Sequence, residues 1–122
     1  MSKSVLVVED DNLARKSLVT LLIEKGLVVH EAVNGKVGLQ QALAKKPDLV
    51  LTDIRMPEMD GIAMINEIRK DDWGKKVPVI VLTTDETTTT VNAALQAGIT
   101  VYLPKMTLDP GTIADQVVTA LG

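Results

Sequence analysis

Charged and hydroxyl side chains that could act together stand at the ends of several short apolar runs. Glu9, Asp10, Asp53 and Lys105 each directly or almost directly follow such a run, and Thr83 ends another. Carboxylates placed close together repel one another and favour a hard cation such as Mg²⁺, which prefers oxygen ligands. A lysine ammonium and a threonine hydroxyl beside them would contact phosphoryl oxygens. This set predicts phosphoryl transfer to a carboxylate, and Asp53 is the predicted acceptor because it stands apart from the other acids.

Apolar runs and helical periodicity alternate strictly along the chain. Strands are predicted over residues 5–8, 27–32, 49–52, 77–83 and 100–103, and helices over 12–25, 36–45, 61–70, 87–97 and 110–121. Five strands alternating with five helices predict an α/β fold, a flavodoxin-like doubly wound five-stranded parallel sheet of order 2-1-3-4-5. Carboxyl ends of parallel strands meet at one edge, so the site residues are expected in one pocket.

Length and composition limit the classes of function. The 122 residues predict a single domain spanning residues 1–122, with no output domain after the fifth helix. A formal net charge of −3 without a basic cluster argues against direct nucleic-acid binding, and the absence of cysteine fits a reducing compartment. The first apolar run is too short for a signal sequence or a membrane span, so we expect a cytoplasmic protein with no membrane contact.

Several polar residues are better explained by local structure than by chemistry. Asp11 is the expected N-cap of the first helix, and Asp60 with Gly61 reads as a helix start. His30 is expected at the surface of an outer strand. Trp73 is expected to be a partly exposed anchor in the loop before the fourth strand.

Four segments together resemble the receiver domain of two-component response regulators, in order and at the family's spacing, over essentially the whole chain. The segments are Val7–Asp11 (VVEDD), Asp53–Gly61 (DIRMPEMDG), Val81–Thr83 (VLT) and Tyr102–Lys105 (YLPK). Any one of them is a weak signal, whereas the four together are specific. The resemblance implies a signalling switch that catalyses only its own phosphorylation and dephosphorylation, rather than an enzyme acting on a separate substrate.

The resemblance also implies roles for individual residues. Asp53 matches the phospho-acceptor and also a Mg²⁺ ligand, Asp10 matches the direct Mg²⁺ ligand, and Glu9 matches the acid that holds the ion through water. Arg55 would offer its backbone carbonyl to the metal. A further set matches residues that respond to the phosphoryl group: Thr83 and Lys105, which contact its oxygens, and Tyr102, which turns inward when Thr83 moves.

Partners follow from the same resemblance. A phosphohistidine on a sensor histidine kinase or a phosphotransfer protein is the expected donor, with small phosphodonors as substitutes. The fourth helix, fifth strand and fifth helix are the expected output surface for a downstream protein. Residues 99–101 are uncharged there, which indicates a different partner or dimer from that of the family's transcription factors.

Two positions near the site depart from the pattern or extend it. Met106 follows Lys105 where most receivers have proline after a cis peptide bond, so a trans bond and a rearranged loop are predicted. Arg55 and Asp85 flank the site, and an ion pair between them would control the access of attacking water to the phosphoryl group. An ordinary surface salt bridge without such a role is the simpler expectation.

Three other functions fit the sequence less well than that of a receiver. A non-phosphorylated pseudo-receiver that serves as a protein-interaction module is the main alternative, although such proteins usually lose acids that this chain keeps. A haloacid-dehalogenase-type phosphatase would need a second aspartate where Arg55 stands. A flavodoxin-like cofactor binder would need glycine and hydroxyl residues in the first loop, which is acidic here.

Overall fold

The computed structural model describes residues 2–84 and 87–122. Strands and helices alternate along these residues, as predicted. The elements are β1 Ser4–Val8, α1 Asn12–Glu24, β2 Val28–Ala32, α2 Gly35–Lys45, β3 Leu49–Asp53, α3 Gly61–Ile68, β4 Val79–Thr83, α4 Thr88–Gln96, β5 Val101–Pro104 and α5 Pro110–Leu121.

The five strands form one parallel sheet of order β2-β1-β3-β4-β5, which confirms the predicted flavodoxin-like fold. The central strands are continuous runs of buried aliphatic residues because helices cover both faces of the sheet. One apolar cluster on one face includes Leu22, Leu51 and Val117, and the cluster on the other includes Val50 and Met64. These two layers fix the strands whose ends carry the polar residues.

Strand register brings the predicted site residues to one edge. Val8 pairs with Thr52 between β1 and β3, so Glu9 and Asp53 each come one position later. Asp53 pairs with Leu82 between β3 and β4, and Thr83 pairs with Pro104 between β4 and β5. Asp53 and Thr83 at the strand ends, and Glu9 and Lys105 just after the strand ends, therefore lie along the same carboxyl edge of the sheet.

Polar N-caps begin the helices. The Asp11 side chain accepts a hydrogen bond from the amide of Ala14, which confirms Asp11 as the cap of α1, and Asp60 caps α3 through the amide of Ala63. The remaining caps are Asn34, Thr87 and Asp109. Each cap satisfies an amide that the helix itself leaves without a partner, so the helix starts are fixed locally.

Some sequence-based expectations differ from the structure. The leucines of the predicted first helix, among them Leu13, recur at helical spacing and indicate its apolar face. Leu13 is nevertheless 82% exposed, because Arg15 rather than Leu13 shares the buried stripe with Leu18 and Leu22. β4 begins at Val79 instead of at residue 77. The intervening Pro78 has no amide hydrogen to donate to the ladder, although its carbonyl accepts from the Val50 amide.

Candidate functional site

The carboxyl edge of the sheet gathers one cation and three carboxylates. Glu9 and Asp10 follow β1, Asp53 ends β3, and Lys105 follows β5. Carboxylate oxygens of Glu9, Asp10 and Asp53 lie within 4.8 Å of one another. Residues that are far apart in the sequence thus form a single acidic group, as the strand order predicted.

Lys105 bridges two of these carboxylates. Its Nζ donates to Oδ2 of Asp53 at 2.7 Å and contacts Oε1 of Glu9. Its backbone amide donates to the carbonyl oxygen of Thr83 at 3.0 Å, which holds the lysine at the end of the β4–β5 ladder. Burial would lower the pKa of Lys105, but the carboxylates of Asp53 and Glu9 outweigh burial and raise it. The ammonium is therefore firmly charged.

Asp53 is held so that one oxygen faces Lys105. Its other oxygen, Oδ1, accepts from the amide of Ile54 at 2.7 Å, and the residue is 7% exposed. Gly61 packs directly against the backbone of Asp53. A Cβ at position 61 would lie only 2.1 Å from the carbonyl oxygen of Asp53. The close approach of α3 thus fixes the carboxyl end of β3 at Asp53, and this approach requires glycine at position 61.

Glu9 is the most deeply buried acid of this cluster. The residue is 1% exposed, and burial raises the pKa of its carboxyl even though Lys105 lowers it. Oε1 is buried and touches the Lys105 ammonium as an ion pair, without a hydrogen bond of good geometry among the described residues. Carboxylate oxygens of three acids within 4.8 Å of one another nevertheless fit a hard cation such as Mg²⁺, which prefers oxygen ligands.

The remaining predicted residues lie around this group. Thr83 is buried at the end of β4, and Tyr102 is half-buried in β5 against the cluster that contains Met64. Arg55 is exposed two positions after Asp53, and the role of its backbone carbonyl stays a prediction. Asp85 lies outside the described residues, so the pairing with Arg55 is likewise a prediction.

The peptide bond that follows Lys105 is trans, as predicted, whereas the rearranged loop stays a prediction. No cis peptide bond occurs in residues 2–84 and 87–122, which confirms the trans bond predicted before Met106. Met106 is 81% exposed, and with Leu13 and Leu108 it borders an apolar groove of about 280 Å³ that also includes Lys105. The acidic cluster with Lys105 thus adjoins an apolar surface between α1 and the start of α5.

Arg15 is a charged residue near the site that the sequence did not single out. It is buried in α1 and donates to the backbone carbonyl of Glu9 at 2.9 Å. A signal was present in the sequence, because Arg15 has the helical register of Leu18 and Leu22, where a charged residue is buried only when it is paired. Its partner Glu31 lies on another strand, which the helix pattern could not identify.

Comparison with known proteins agrees with this geometry. A family model described as the response regulator receiver domain matches residues 5–117. The KDP operon transcriptional regulatory protein KdpE of Escherichia coli is 41% identical over 102 residues, which cover 84% of this chain and 44% of KdpE. A protein-glutamate methylesterase/protein-glutamine glutaminase of Nocardioides is 44% identical over 108 residues, covering 83% of this chain and 28% of that protein. The chain thus spans less than half the length of these curated relatives.

A solved structure is similar over the full length. The receiver domain of sensor histidine kinase PA1611 from Pseudomonas aeruginosa, with a magnesium ion coordinated in its active-site cleft, is 27% identical with a TM-score of 0.88. The match covers 100% of this chain and 99% of that one. Within the described residues, no helix is long and apolar enough to cross a membrane. Phosphorylation-dependent switching is the general function of receiver domains, which interact with histidine kinases and downstream effectors. On these matches, the chain belongs to the response regulator receiver domains of two-component signalling.

Proposed function

We propose that this chain accepts a phosphoryl group on Asp53, with Mg²⁺ bound by the neighbouring acids, and changes its surface to control a partner. The observation that carries the proposal is the 2.7 Å contact between Lys105 Nζ and Asp53 Oδ2, beside three clustered carboxylates. A nucleophilic carboxylate, a fixed cation and a metal-binding acid group are the parts that phosphoryl transfer needs. The magnesium ion in the PA1611 receiver supports the choice of metal.

In the proposed step, Oδ2 or Oδ1 of Asp53 attacks the phosphorus of the donor. A P–O bond forms to Asp53 while the P–N bond to the donor imidazole breaks, and the imidazole leaves with the bonding electron pair. Asp10 and Asp53 would bind Mg²⁺ directly, Glu9 through water, and Arg55 through its carbonyl. The ion would neutralise charge on the phosphoryl oxygens. Lys105 and Thr83 would contact the oxygens that the metal leaves free.

The switch follows from the new charge. A phosphoryl group adds about two negative charges and three acceptor oxygens at Asp53. Lys105 and Thr83 gain a stronger partner, and the segments that carry them are drawn towards it. Tyr102, half-buried two positions before Pro104, would fill the space that Thr83 leaves. The altered surface would be α4, β5 and α5, and the partner a protein that docks there.

The phosphodonor is proposed to be a phosphohistidine on a sensor histidine kinase or a phosphotransfer protein. A macromolecular donor must bring its imidazole to Asp53, which is only 7% exposed. The apolar groove bordered by Leu13 and Met106 adjoins Lys105, and it offers the donor an apolar contact next to the reacting atoms. A cytoplasmic location is part of this proposal.

Intact-mass spectrometry tests the proposal. The wild type and Asp53→Asn are incubated with acetyl phosphate and, separately, with a phosphohistidine donor, each with Mg²⁺ or with a chelator. We expect one added phosphoryl group that requires both Mg²⁺ and Asp53. Asp48→Asn is the matched control, because Asp48 is an exposed aspartate just before β3, and it should be phosphorylated like the wild type.

Two results would reject the proposal in different ways. Phosphorylation of Asp53→Asn would show that another residue is the acceptor. No phosphorylation of the wild type by either donor would favour the pseudo-receiver, a protein-interaction module that keeps the fold without the reaction.

A further inference from the structure

Arg15 makes three directed hydrogen bonds from a buried position in α1. Its Nη1 donates to the carbonyl oxygen of Glu9 at 2.9 Å, its Nη2 to Oδ1 of Asn12 at 2.7 Å, and its Nε to Oε1 of Glu31 at 3.0 Å. The residue is 6% exposed. None of these bonds reaches the proposed phosphoryl position, so the phosphorylation step itself does not account for the arrangement.

These bonds fix the backbone of the acidic loop. The amide of Glu9 donates to the carbonyl oxygen of Ala32 at 3.0 Å, and its carbonyl oxygen accepts from Arg15. Its side chain accepts from the amide of Asp11 at 3.1 Å. The carbonyl of Glu9 belongs to the planar peptide group that leads into Asp10, so its direction sets where the Asp10 carboxylate is placed.

Glu31 anchors Arg15 to the sheet. Glu31 lies within β2 and is paired in register with Val7 of β1, so it belongs to a fixed strand rather than to the loop. Lys16 also contacts its carboxylate, at 3.0 and 3.2 Å. Arg15 therefore connects the Glu9 carbonyl to a rigid part of the molecule.

We propose that Arg15 is a positioning residue for the metal site: it orients the Glu9–Asp10 peptide so that Asp10 meets Mg²⁺ together with Asp53. This inference rests on the proposed Mg²⁺ site and adds a residue that does not itself touch the ion. Partners that orient metal ligands typically contribute about 10–100-fold to metal affinity. A loss of about tenfold in Mg²⁺ affinity is therefore expected when the bond to the Glu9 carbonyl is removed.

The variant Arg15→Lys distinguishes a positioning role of the Arg15 side chain from a role of its positive charge alone. A guanidinium donates in several fixed directions at once, whereas an ammonium is a point charge on a flexible stem. Arg15→Lys keeps a buried cation that can pair with Glu31 but cannot also hold the Glu9 carbonyl and Asn12. A purely structural role for the charge would be rescued by lysine, and a positioning role would not.

The experiment is a Mg²⁺ titration followed by ¹H–¹⁵N NMR on the wild type, Arg15→Lys, Arg15→Met and Lys16→Gln. Thermal unfolding in chelator measures the stability of each metal-free protein. Lys16→Gln is the matched control, because Lys16 contacts the same Glu31 carboxylate without touching Glu9. We expect Arg15→Lys to remain folded with a moderately lower melting temperature, because two hydrogen bonds of a buried side chain are lost, and to bind Mg²⁺ about tenfold more weakly, while the Mg²⁺ affinity of Lys16→Gln stays within twofold of the wild type.

The outcomes are separable. Arg15→Met removes all the donors and is expected to lose both stability and affinity; if it does not fold, Arg15→Lys still decides the question. Arg15→Lys with wild-type affinity, or with a loss no greater than that of Lys16→Gln, overturns the role of Arg15 and leaves the proposed Mg²⁺ site intact. A wild type that does not bind Mg²⁺ overturns both.

Discussion

At the scale of single residues, the Lys105 ammonium lies beside the proposed Mg²⁺ site. Its ammonium pairs with Asp53 and Glu9, which are both proposed to hold Mg²⁺. Like charges repel, so Lys105 opposes the entry of the metal while it partly neutralises the carboxylates in the metal-free protein. Phosphorylation would remove this conflict, because the new oxygens give Lys105 a partner of its own.

Replacing Lys105 with methionine is therefore expected to tighten Mg²⁺ binding several-fold. The same change should lower the free energy of unfolding in chelator by about 2 kcal/mol, because it leaves buried carboxylates without their counter-charge. NMR titration measures the affinity and urea unfolding the stability. Lys75→Met is the control, since Lys75 is exposed and pairs with Asp72 away from the site. Weaker binding in Lys105→Met would instead mean that Lys105 orders the carboxylates for the metal.

The sequence indicated the residues at strand ends more readily than those that support them. Asp53 and Lys105 could be placed together because parallel strands of known order share one edge. The role of Arg15 could not be predicted, because it depends on hydrogen bonds to Glu31 and to the backbone carbonyl of Glu9. A sequence does not show which backbone carbonyl accepts from a side chain. The exposure of Leu13 was not predicted either, because helical spacing alone does not decide whether Leu13 or Arg15 is buried with Leu18.

At the scale of elements, α4 has the weakest helical sequence next to the site. Thr87 caps it by accepting from the amide of Thr90, and the first turn continues with the exposed residues Thr88 and Thr89. β-Branched residues lose side-chain freedom in a helix, so this turn is held mainly by its cap. A marginal first turn, five positions after the end of β4, suits the proposal that α4 moves when Thr83 moves.

Two neighbouring alanine substitutions are expected to act in opposite directions. Thr87→Ala removes the cap and should lower the free energy of unfolding by about 1 kcal/mol. Thr88→Ala keeps the cap and improves helix propensity, so it should raise that free energy by about 0.5 kcal/mol. Urea unfolding gives the signs, and hydrogen exchange of the α4 amides shows whether the change is local. If both variants shift stability in the same direction, the cap does not control the turn.

At the scale of the whole molecule, the alternation of apolar runs and helical periods was sufficient for the fold. The strand order and the numbers of strands and helices could be predicted from this alternation, because right-handed crossovers and the need to bury both faces of the sheet leave few arrangements. Element ends were less accurate. α3 ends at Ile68 instead of at residue 70, since the end of a helix depends on contacts that a periodic pattern does not carry.

Binding of Mg²⁺ at the proposed acidic site would be linked to the stability of the entire domain. Carboxylates of Glu9, Asp10 and Asp53 within 4.8 Å repel one another in the folded protein far more than in the unfolded chain. Mg²⁺ that binds only the folded state adds about 1.4 kcal/mol of stability at ten times its dissociation constant. For a domain of this size, that corresponds to a rise of about 4–6 °C in melting temperature.

Melting curves with Mg²⁺ or chelator on the wild type, Asp10→Asn and Asp72→Asn test this link. Asp10→Asn relieves repulsion and removes the proposed direct ligand, so it should melt higher than the wild type in chelator and respond little to Mg²⁺. Asp72 is exposed in the loop before β4, so Asp72→Asn should respond like the wild type. A full Mg²⁺ response in Asp10→Asn would place the ion elsewhere. A lower melting temperature of Asp10→Asn in chelator would mean that Asp10 stabilises the loop rather than straining it.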